Sequence, residues 1–286
     1  ALDPQTLYPD MPVSISREIA YILSRKKPPE KALVIGVGGG LDVQTAYKYR
    51  AKQIDAVEIN PTTIRVIAEH FSSFIFDIFK QPYIRLFLED GRAFVRRTES
   101  FYDVISIYGV DSFTALSAGA YLLSESYLYT QEALSDYWNR LAQDGIIQIS
   151  RMFYPHKQPA ESLRVFIMAY EALRLNGIAD PSRHLLVLSD PPPSGHDFGF
   201  LLISKQPFED AQIQMLNQKL PDFQPKPVWI YNPLAKNSPP AADNPFYEFI
   251  RSASSGRQEE FYKQYPFNVR PASDDSPFFF QYGKWS

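Results

Sequence analysis

The stretch that decides the fold is KALVIGVGGGLDVQTAYKY, residues Lys31–Tyr49. It begins with a short β-branched apolar strand, Lys31–Val37, and continues with helical periodicity over Leu41–Tyr49. The glycines between the two let the backbone turn sharply and approach a ligand closely. This stretch therefore predicts the start of an α/β domain with a binding site at the carboxyl end of its first strand.

Further strand-like runs follow and alternate with helical segments. The predicted strands are Gln53–Ile59, Ile84–Leu88, Tyr102–Tyr108, Gly145–Ser150, His184–Ser189 and Phe198–Ser204, and the main predicted helices are Thr62–Phe71, Gln131–Leu141 and Ala160–Leu175. Apolar strands without polar alternation are typical of parallel sheets covered on both faces. The last two strands follow each other without a helix, so we expect an antiparallel hairpin. The pattern predicts an α/β fold with a Rossmann-like seven-stranded sheet, mostly parallel with an antiparallel C-terminal hairpin.

Composition suggests one domain with flanks. Residues 1–30 are predicted to be a lead-in segment, 31–206 a nucleoside-binding α/β domain, and 207–286 an arm rich in proline and aromatic residues. A disordered linker would not need so many aromatics, so we expect the arm to pack on the same domain without much regular structure, with Asn244–Ser252 its best helix candidate. Asp274 and Asp275 are expected to cap a turn in this arm, with a substrate role as the alternative.

Several functional classes are excluded by composition and motif. The 286 residues include no cysteine, which removes disulfides, thiolate nucleophiles and iron–sulfur clusters. A net charge of −3 gives no general attraction for nucleic acid. The four histidines lack metal-ligand spacing, so no metal is predicted. Neither a G-x-S-x-G elbow nor a P-loop is present.

Two acidic residues stand where successive strands end. Glu58 lies 18 residues beyond Gly40 at the end of the second predicted strand, and Asp90 follows the third. In open α/β sheets, ligands bind outside the carboxyl ends of the strands, where an acidic residue accepts from the ribose hydroxyls. We therefore expect Glu58 to bind ribose and Asp90 to accept from an adenine amine.

The glycine spacing indicates which nucleoside binds. The sequence fits G-x-G-x-G on Gly36, Gly38 and Gly40, whereas a dinucleotide motif would need glycine where Leu41 stands. An NAD-dependent oxidoreductase is therefore disfavoured, and the spacing is like that of S-adenosylmethionine enzymes. Asp42, in the first turn of the helix, is a candidate to hold the ammonium of the methionine-like part; a helix-dipole partner is the alternative.

Over about residues 31–205 the sequence resembles the spermidine synthase-like branch of the class I S-adenosylmethionine-dependent methyltransferase superfamily. The motifs that carry this resemblance are Val34 two places before the first glycine, Val57–Ile59, Glu89–Arg92, Tyr102–Ile105, and Leu128–Glu132 leading to Asp144–Ile146. The resemblance implies the class I methyltransferase sheet, with S-adenosylmethionine or decarboxylated S-adenosylmethionine as cofactor. It also implies a small amine acceptor, such as a polyamine. Ile59 and Gly91, inside these motifs, complete the predicted cofactor-binding set.

A narrower resemblance is to bacterial spermidine synthase-like proteins in which this domain often follows a polytopic membrane segment. It rests on Val110–Ser112, Gly119–Tyr121, Leu123–Thr130 and the ending Arg270–Phe280. Because the chain starts at Ala1, we expect a processed protein or part of a longer one, with a membrane segment upstream of Ala1. The resemblance also implies a homodimer, although the family's N-terminal β-hairpin is not recognisable in residues 1–30. An adenosylmethionine-type ligand predicts a cytoplasmic location.

The acceptor is expected to bind after the fourth strand. Spermidine synthases carry an aspartate just after this strand and a second one three residues on; here these places hold Tyr108 and Asp111. A phenol is a poor base at pH 7, so Asp111 is predicted to orient or deprotonate the acceptor, with Tyr108 packed near the sulfonium. The predicted acceptor-binding residues are Asp111, Tyr121, Glu125 and Tyr129, whose carboxylates and rings suit a cationic amine. Core packing is the alternative for at least one tyrosine.

Two functions of different classes stay open at this level. The first is a transferase, with methyl transfer slightly favoured over aminopropyl transfer because Tyr108 replaces the family's first aspartate. The second is a nucleoside-binding sensor domain, without catalysis, in a membrane-tethered protein. Binding and turnover with adenosylmethionine-type nucleosides would distinguish them.

Overall fold

The computed structural model of the chain describes residues 15–73, 75, 77–110, 125–153, 158–190, 198–235 and 244–284. In these residues eight strands form one mixed sheet. They are β1 (Lys31–Ile35), β2 (Gln53–Glu58), β3 (Ile84–Leu88), β4 (Tyr102–Tyr108), β5 (Leu141–Met152), β6 (Leu185–Ser189), β7 (Phe198–Ser204) and β8 (Val228–Tyr231). The order is β3-β2-β1-β4-β5-β7-β6-β8, with β1 to β5 parallel and β7 antiparallel to both neighbours. The predicted α/β fold, its mostly parallel sheet and its antiparallel hairpin are confirmed.

The predicted count of seven strands is wrong, because β8 extends the hairpin edge. It pairs antiparallel with β6, with Tyr231 opposite Val187. β8 has only four residues and lies between Pro227 and Pro233. Such a short apolar run between prolines is a weak strand signal, so only its neighbour on the sheet identifies it.

Helices cover both faces of the sheet. The α-helices in the described residues are α1 (Ile15–Leu23), α2 (Leu41–Lys48), α3 (Pro61–Arg65, continued by a π-helical turn over Val66–His70), α4 (Gly91–Arg97), α5 (Gln131–Asn139), α6 (Ala160–Leu175), α7 (Asp210–Lys219), α8 (Pro245–Ser254) and α9 (Gln258–Gln264). Side chains of α1, α2 and α7 pack on one face, and those of α4, α5, α6, α8 and α9 on the other. Along β1, Ala32 and Val34 contact the first layer while Leu33 and Ile35 contact the second. This burial on both faces explains the apolar strands of the sequence.

The register of the central strands aligns their carboxyl ends. Ile35 at the end of β1 pairs with Val57 of β2 and with Ile107 of β4. Ile35 is followed by residues 36–40, which we call the glycine turn, Val57 is followed by Glu58, and Ile107 is followed by Tyr108. The parallel sheet therefore brings together at one edge three segments that are far apart in the chain.

The described part of the predicted lead-in forms a helix on the sheet. The backbone N–H of Ala20 in α1 donates to Gln148 Oε1 of β5 over 2.8 Å. Buried Glu18 accepts from Lys48 Nζ at 2.8 Å and from Tyr49 Oη at 2.6 Å. Helix α1 is thus fixed against α2 and the sheet. None of the helices in the described ranges is long and apolar enough to span a membrane.

The arm is more regular than its composition indicated, since its described residues form α7, β8, α8 and α9. It shares the core of the sheet domain: the ring of Phe166 in α6 lies 5.1 Å from Phe246 and 5.0 Å from Tyr231. Buried Arg164 donates through Nε to the carbonyl oxygen of Arg270 at 2.8 Å and through Nη1 to that of Phe279 at 2.6 Å. Proline stands at helix starts and in loops of the arm, and α8 overlaps the predicted helix candidate Asn244–Ser252.

Candidate nucleoside-binding site

The glycine turn after β1 has a backbone that other residues would strain. Gly36, Gly38 and Gly40 have φ angles of 81°, 49° and 83°, in the left-handed region. At Gly36 there is also no space, because a Cβ atom would lie 2.3 Å from Cγ1 of Val110. Gly36 N–H donates to the carbonyl of Val57, and Gly40 N–H closes the turn on Val37, both at 2.8 Å. The G-x-G-x-G spacing therefore reflects a fixed backbone shape, which brings peptide groups to the pocket wall.

Glu58 stands at the end of β2 with its carboxylate against the glycine turn. Oε2 accepts from Gly38 N–H at 3.1 Å, and Oε1 accepts from Asn60 N–H at 2.9 Å. An ionised carboxylate offers about four lone-pair sites, so about two stay open. Each oxygen can therefore accept from one of two neighbouring hydroxyl groups, as a ribose would present.

Asp90 and Gly91 connect β3 to α4 at the next strand end. Asp90 caps α4, with Oδ1 accepting from Ala93 N–H at 2.9 Å. A Cβ on Gly91 would lie 2.3 Å from Cγ2 of Ile35, so glycine lets α4 begin directly against β1. Asp90 thus caps the helix with Oδ1, and its Oδ2 can accept a hydrogen bond from a ligand.

The other end of the pocket holds an ion pair that the motifs did not indicate. Arg17 Nη1 of α1 pairs with Asp42 Oδ2 of α2, and Ser106 Oγ of β4 donates to Asp42 Oδ1 at 3.4 Å. The Arg17 guanidinium lies 3.7 Å from the centroid of the Tyr108 ring. Burial raises the pKa of Asp42 to about 6, although Arg17 and Ser106 act in the opposite direction. Asp42 is therefore already neutralised by a cation of this chain.

These groups line one pocket of about 580 Å³, a size suited to a nucleoside. Of the predicted cofactor and catalytic residues, it contains Gly36, Gly38, Asp42, Glu58, Ile59, Asp90, Gly91 and Tyr108. The Ile59 side chain is 67% exposed at its edge and offers an apolar surface to a flat base. Gly40 is not in this lining and shapes the turn from behind, near Ile75 and Phe79.

Other lining residues were missed from the sequence. They are Arg17, Asn60, Thr63, Glu89, Val110, Leu128 and Phe198, with backbone from the same strand ends. Asn60 and Thr63 begin α3 directly after Glu58, so the Asn-Pro helix start was a usable signal. Arg17 lies before β1 on a separate helix, and no spacing connects it to the pocket.

The predicted acceptor residues are not gathered in this pocket. Tyr129 is fully buried, with its ring 4.9 Å from Phe279 and its Oη accepting from Arg151 Nη1 at 3.1 Å. The prediction that Tyr129 binds substrate is therefore wrong; core packing, the alternative for at least one tyrosine, applies to it. Exposed Glu125 accepts from Tyr127 Oη at 3.1 Å outside the pocket lining. Asp111 and Tyr121 lie outside the described residues, so their roles stay predictions.

Asp274 has a structural partner. Its carboxylate binds Arg92 of α4 through two bonds of 2.6 and 2.7 Å, and Oδ1 also accepts from Thr130 Oγ1 at 2.7 Å. These bonds connect the end of the arm to α4 and α5. Within the described ranges, no cluster of three or more His, Asp and Glu is arranged to hold a metal ion.

Comparison with known proteins identifies a family that this chain matches. The model of the spermine/spermidine synthase domain family matches residues 16–173, more than half of the chain. A polyamine aminopropyltransferase of Streptococcus pneumoniae is 30% identical over 132 residues, which are 46% of this chain and 41% of that relative. The match thus spans less than half the length of this curated relative.

Two solved structures share the fold. Spermidine synthase from Thermotoga maritima has a TM-score of 0.51 at 19% identity, covering 74% of this chain and 65% of that one. Human methyltransferase-like protein 13, solved in complex with SAH, has a TM-score of 0.52 at 18% identity, covering 78% of this chain and 96% of that one. At these identities the likeness concerns the fold alone.

Proposed function

Because this chain belongs to the spermine/spermidine synthase domain family, we propose that it is a transferase acting with an adenosylmethionine-type donor. It moves a methyl or aminopropyl group from S-adenosylmethionine, or its decarboxylated form, to a small amine. The observation that carries the proposal is the pocket at the carboxyl ends of β1 to β4, where the glycine turn, Glu58 and Asp90 meet. This is the crevice in which doubly wound sheets bind nucleotides.

The residues of the pocket fit such a nucleoside in order along the sheet. Glu58 has free lone pairs for both ribose hydroxyls. Asp90 Oδ2 and the exposed Ile59 side chain would hold the adenine edge and face. The sulfur-bearing chain would then extend past the glycine turn toward Asp42 and Tyr108.

The bound donor supplies a carbon made electrophilic by its attached sulfonium. The residues of this chain align the acceptor with that carbon. Glu58 and the glycine turn hold the nucleoside, and the Tyr108 ring limits one side of the space for an acceptor. The acceptor nitrogen forms a bond to this carbon while the carbon–sulfur bond breaks and its electron pair stays on sulfur. The nitrogen then gives up one proton, for which Asp111 is the predicted base.

Calorimetry on the full chain tests the proposal. The ligands are S-adenosylmethionine, its decarboxylated form and methylthioadenosine, followed by incubation of the two donors with putrescine and mass spectrometry. We expect binding, and a product heavier than putrescine by one transferred group. The change Glu58→Gln should weaken all three ligands at least tenfold, since they share the ribose and charged hydrogen bonds contribute about 1.5–3 kcal/mol each.

The matched control is Glu260→Gln, on the exposed surface of α9, which should bind like the unchanged chain. Failure of all three nucleosides to bind would exclude the proposed function.

Binding without turnover would instead identify the second candidate, a nucleoside sensor. One observation favours that candidate: Tyr108, at the end of β4, has a phenol where the resemblance places the family's base, and the Arg17 guanidinium lies 3.7 Å from the centroid of its ring. A homodimer, a cytoplasmic location and a membrane segment before Ala1 stay predictions.

A further inference from the structure

The topology of the sheet fixes which end of the pocket receives the amino-acid part of a donor. The strands that line the pocket lie in the order β3, β2, β1, β4. Asp90 follows β3, Glu58 ends β2, and Tyr108 ends β4. With adenine at Asp90 and ribose at Glu58, the substituent on sulfur therefore lies at the β1–β4 end, beside Asp42 and Arg17.

Arg17 is placed there as a binding group and not only as a surface charge. Its side chain is 16% exposed, and it lines the pocket. Only Nη1 is bonded to Asp42; within the described ranges Nη2 and Nε have no hydrogen-bond partner. The Tyr108 ring, 3.7 Å from the guanidinium carbon, holds the guanidinium plane in position.

The charges at this end match those of an α-amino acid. Asp42 can accept from an ammonium group, and the unbonded edge of Arg17 can donate to a carboxylate in the two-bond geometry that guanidinium favours. Arg17 is the one cationic side chain among the described residues that line the pocket. A donor without the carboxylate would bring its ammonium to an Asp42 that Arg17 already neutralises, and would leave the free edge of Arg17 without an anion.

We propose that Arg17 makes this pocket selective for S-adenosylmethionine over its decarboxylated form, by binding the carboxylate of the donor. This inference rests on the proposed function and specifies the donor within it. S-adenosylmethionine has no aminopropyl group to give, so of the two transfers in the proposed function this selectivity leaves methyl transfer.

Calorimetry on the full chain tests the inference with three nucleosides. S-adenosylmethionine should bind at least tenfold more tightly than the decarboxylated form, since only its carboxylate can accept charge-assisted hydrogen bonds from Arg17. In Arg17→Ala this ratio should fall to about one to threefold. Methylthioadenosine, which lacks the whole amino-acid part, should bind the variant and the unchanged chain equally.

The controls separate a binding role from a structural one. Arg25→Ala removes an arginine that ion-pairs with Asp144 and Glu209 away from the pocket, and should leave the ratio unchanged. Arg17→Lys keeps the charge but not the two-bond geometry, and should restore part of the ratio. If Arg17→Ala does not fold, the ratio of the two donor affinities in the unchanged chain and in Arg17→Lys still tests the proposed selectivity.

Three outcomes would overturn the inference, and they can be told apart. Equal affinity for both donors, with methylthioadenosine still bound, rejects the role of Arg17 and keeps the nucleoside site. If S-adenosylmethionine binds Arg17→Ala more tightly than it binds the unchanged chain, then Arg17 obstructs the site and does not bind the donor. Loss of binding for all three nucleosides in the unchanged chain rejects the proposed function itself.

Discussion

Gly36 shows at the scale of one residue how the turn depends on glycine. Its φ is positive, and a Cβ added there would lie only 2.3 Å from Cγ1 of Val110, which leaves no room for a methyl group. We expect Gly36→Ala to lower the free energy of unfolding by about 2–4 kcal/mol, through backbone strain and overpacking. Urea unfolding followed by circular dichroism measures this.

Gly39 in the same turn is the matched control for that change. It does not have a positive φ, and a Cβ there would meet nothing within 4 Å. Gly39→Ala should therefore stay within about 0.5 kcal/mol of the unchanged chain. Equal destabilisation by both changes would contradict the steric role of Gly36.

The raised pKa of Asp42 predicts that donor binding depends on pH. Burial raises the pKa of Asp42 to about 6, so in the chain without bound donor this carboxyl becomes protonated as the pH falls below that value. An ammonium group binds only the ionised form, so affinity for S-adenosylmethionine should fall by up to about tenfold per pH unit below 6 and level off above 7. Calorimetry between pH 5 and 8 tests this.

Methylthioadenosine has no ammonium group, so its affinity should not follow that profile. Asp42→Asn should remove the slope for S-adenosylmethionine. A slope that persists in Asp42→Asn would assign the titration to another group.

Between elements, the Arg92–Asp274 pair connects the end of the arm to α4. Arg92 is buried and also binds Asp136 at 2.9 Å, and the pair holds the pKa of Asp274 below its usual range. We expect Asp274→Ala to lower the free energy of unfolding by about 2 kcal/mol at pH 7. Chemical unfolding at several pH values measures it.

The sign of the pH effect follows from the lowered pKa. The stabilisation is present above the unfolded pKa of Asp274 and is lost as pH falls through its folded pKa, so the variant and the unchanged chain should converge in acid. Exposed Asp275 is the control, and Asp275→Ala should change stability little. Equal effects of both changes would contradict the pair's role.

At the scale of the whole molecule, the arm completes the core. Phe246, Phe249, Phe279 and Phe280 are buried in the same cluster as Tyr129 and Phe166 of the sheet domain. A chain ending at residue 206 exposes that cluster, so we expect it to lose cooperative unfolding and to bind a hydrophobic dye. Scanning calorimetry and dye fluorescence measure both, with a chain ending at residue 284 as the control.

A cooperative transition in the chain ending at residue 206 would show instead that the sheet domain folds alone. The predicted boundary after residue 206 would then be a true domain boundary.

Predictability differed among the elements for physical reasons. Long apolar strands and the helix Ala160–Leu175 were predictable, because their burial follows from local pattern. β8 and α1 were not, since a short or isolated segment becomes regular only when a neighbouring strand or helix completes it. Of the site, strand-end positions such as Glu58 and the glycine turn were predictable, whereas the pairing of Asp42 was not.

The sequence by itself determined the α/β class, the position of the glycine turn and the acidic residues at strand ends, because each follows from a local pattern in the chain. Only the tertiary structure decided that Tyr129 is core, that Asp274 binds Arg92, and that Arg17 meets Asp42 in the pocket. These contacts join residues that are far apart in the chain, so they exist only once the helices have packed on the sheet.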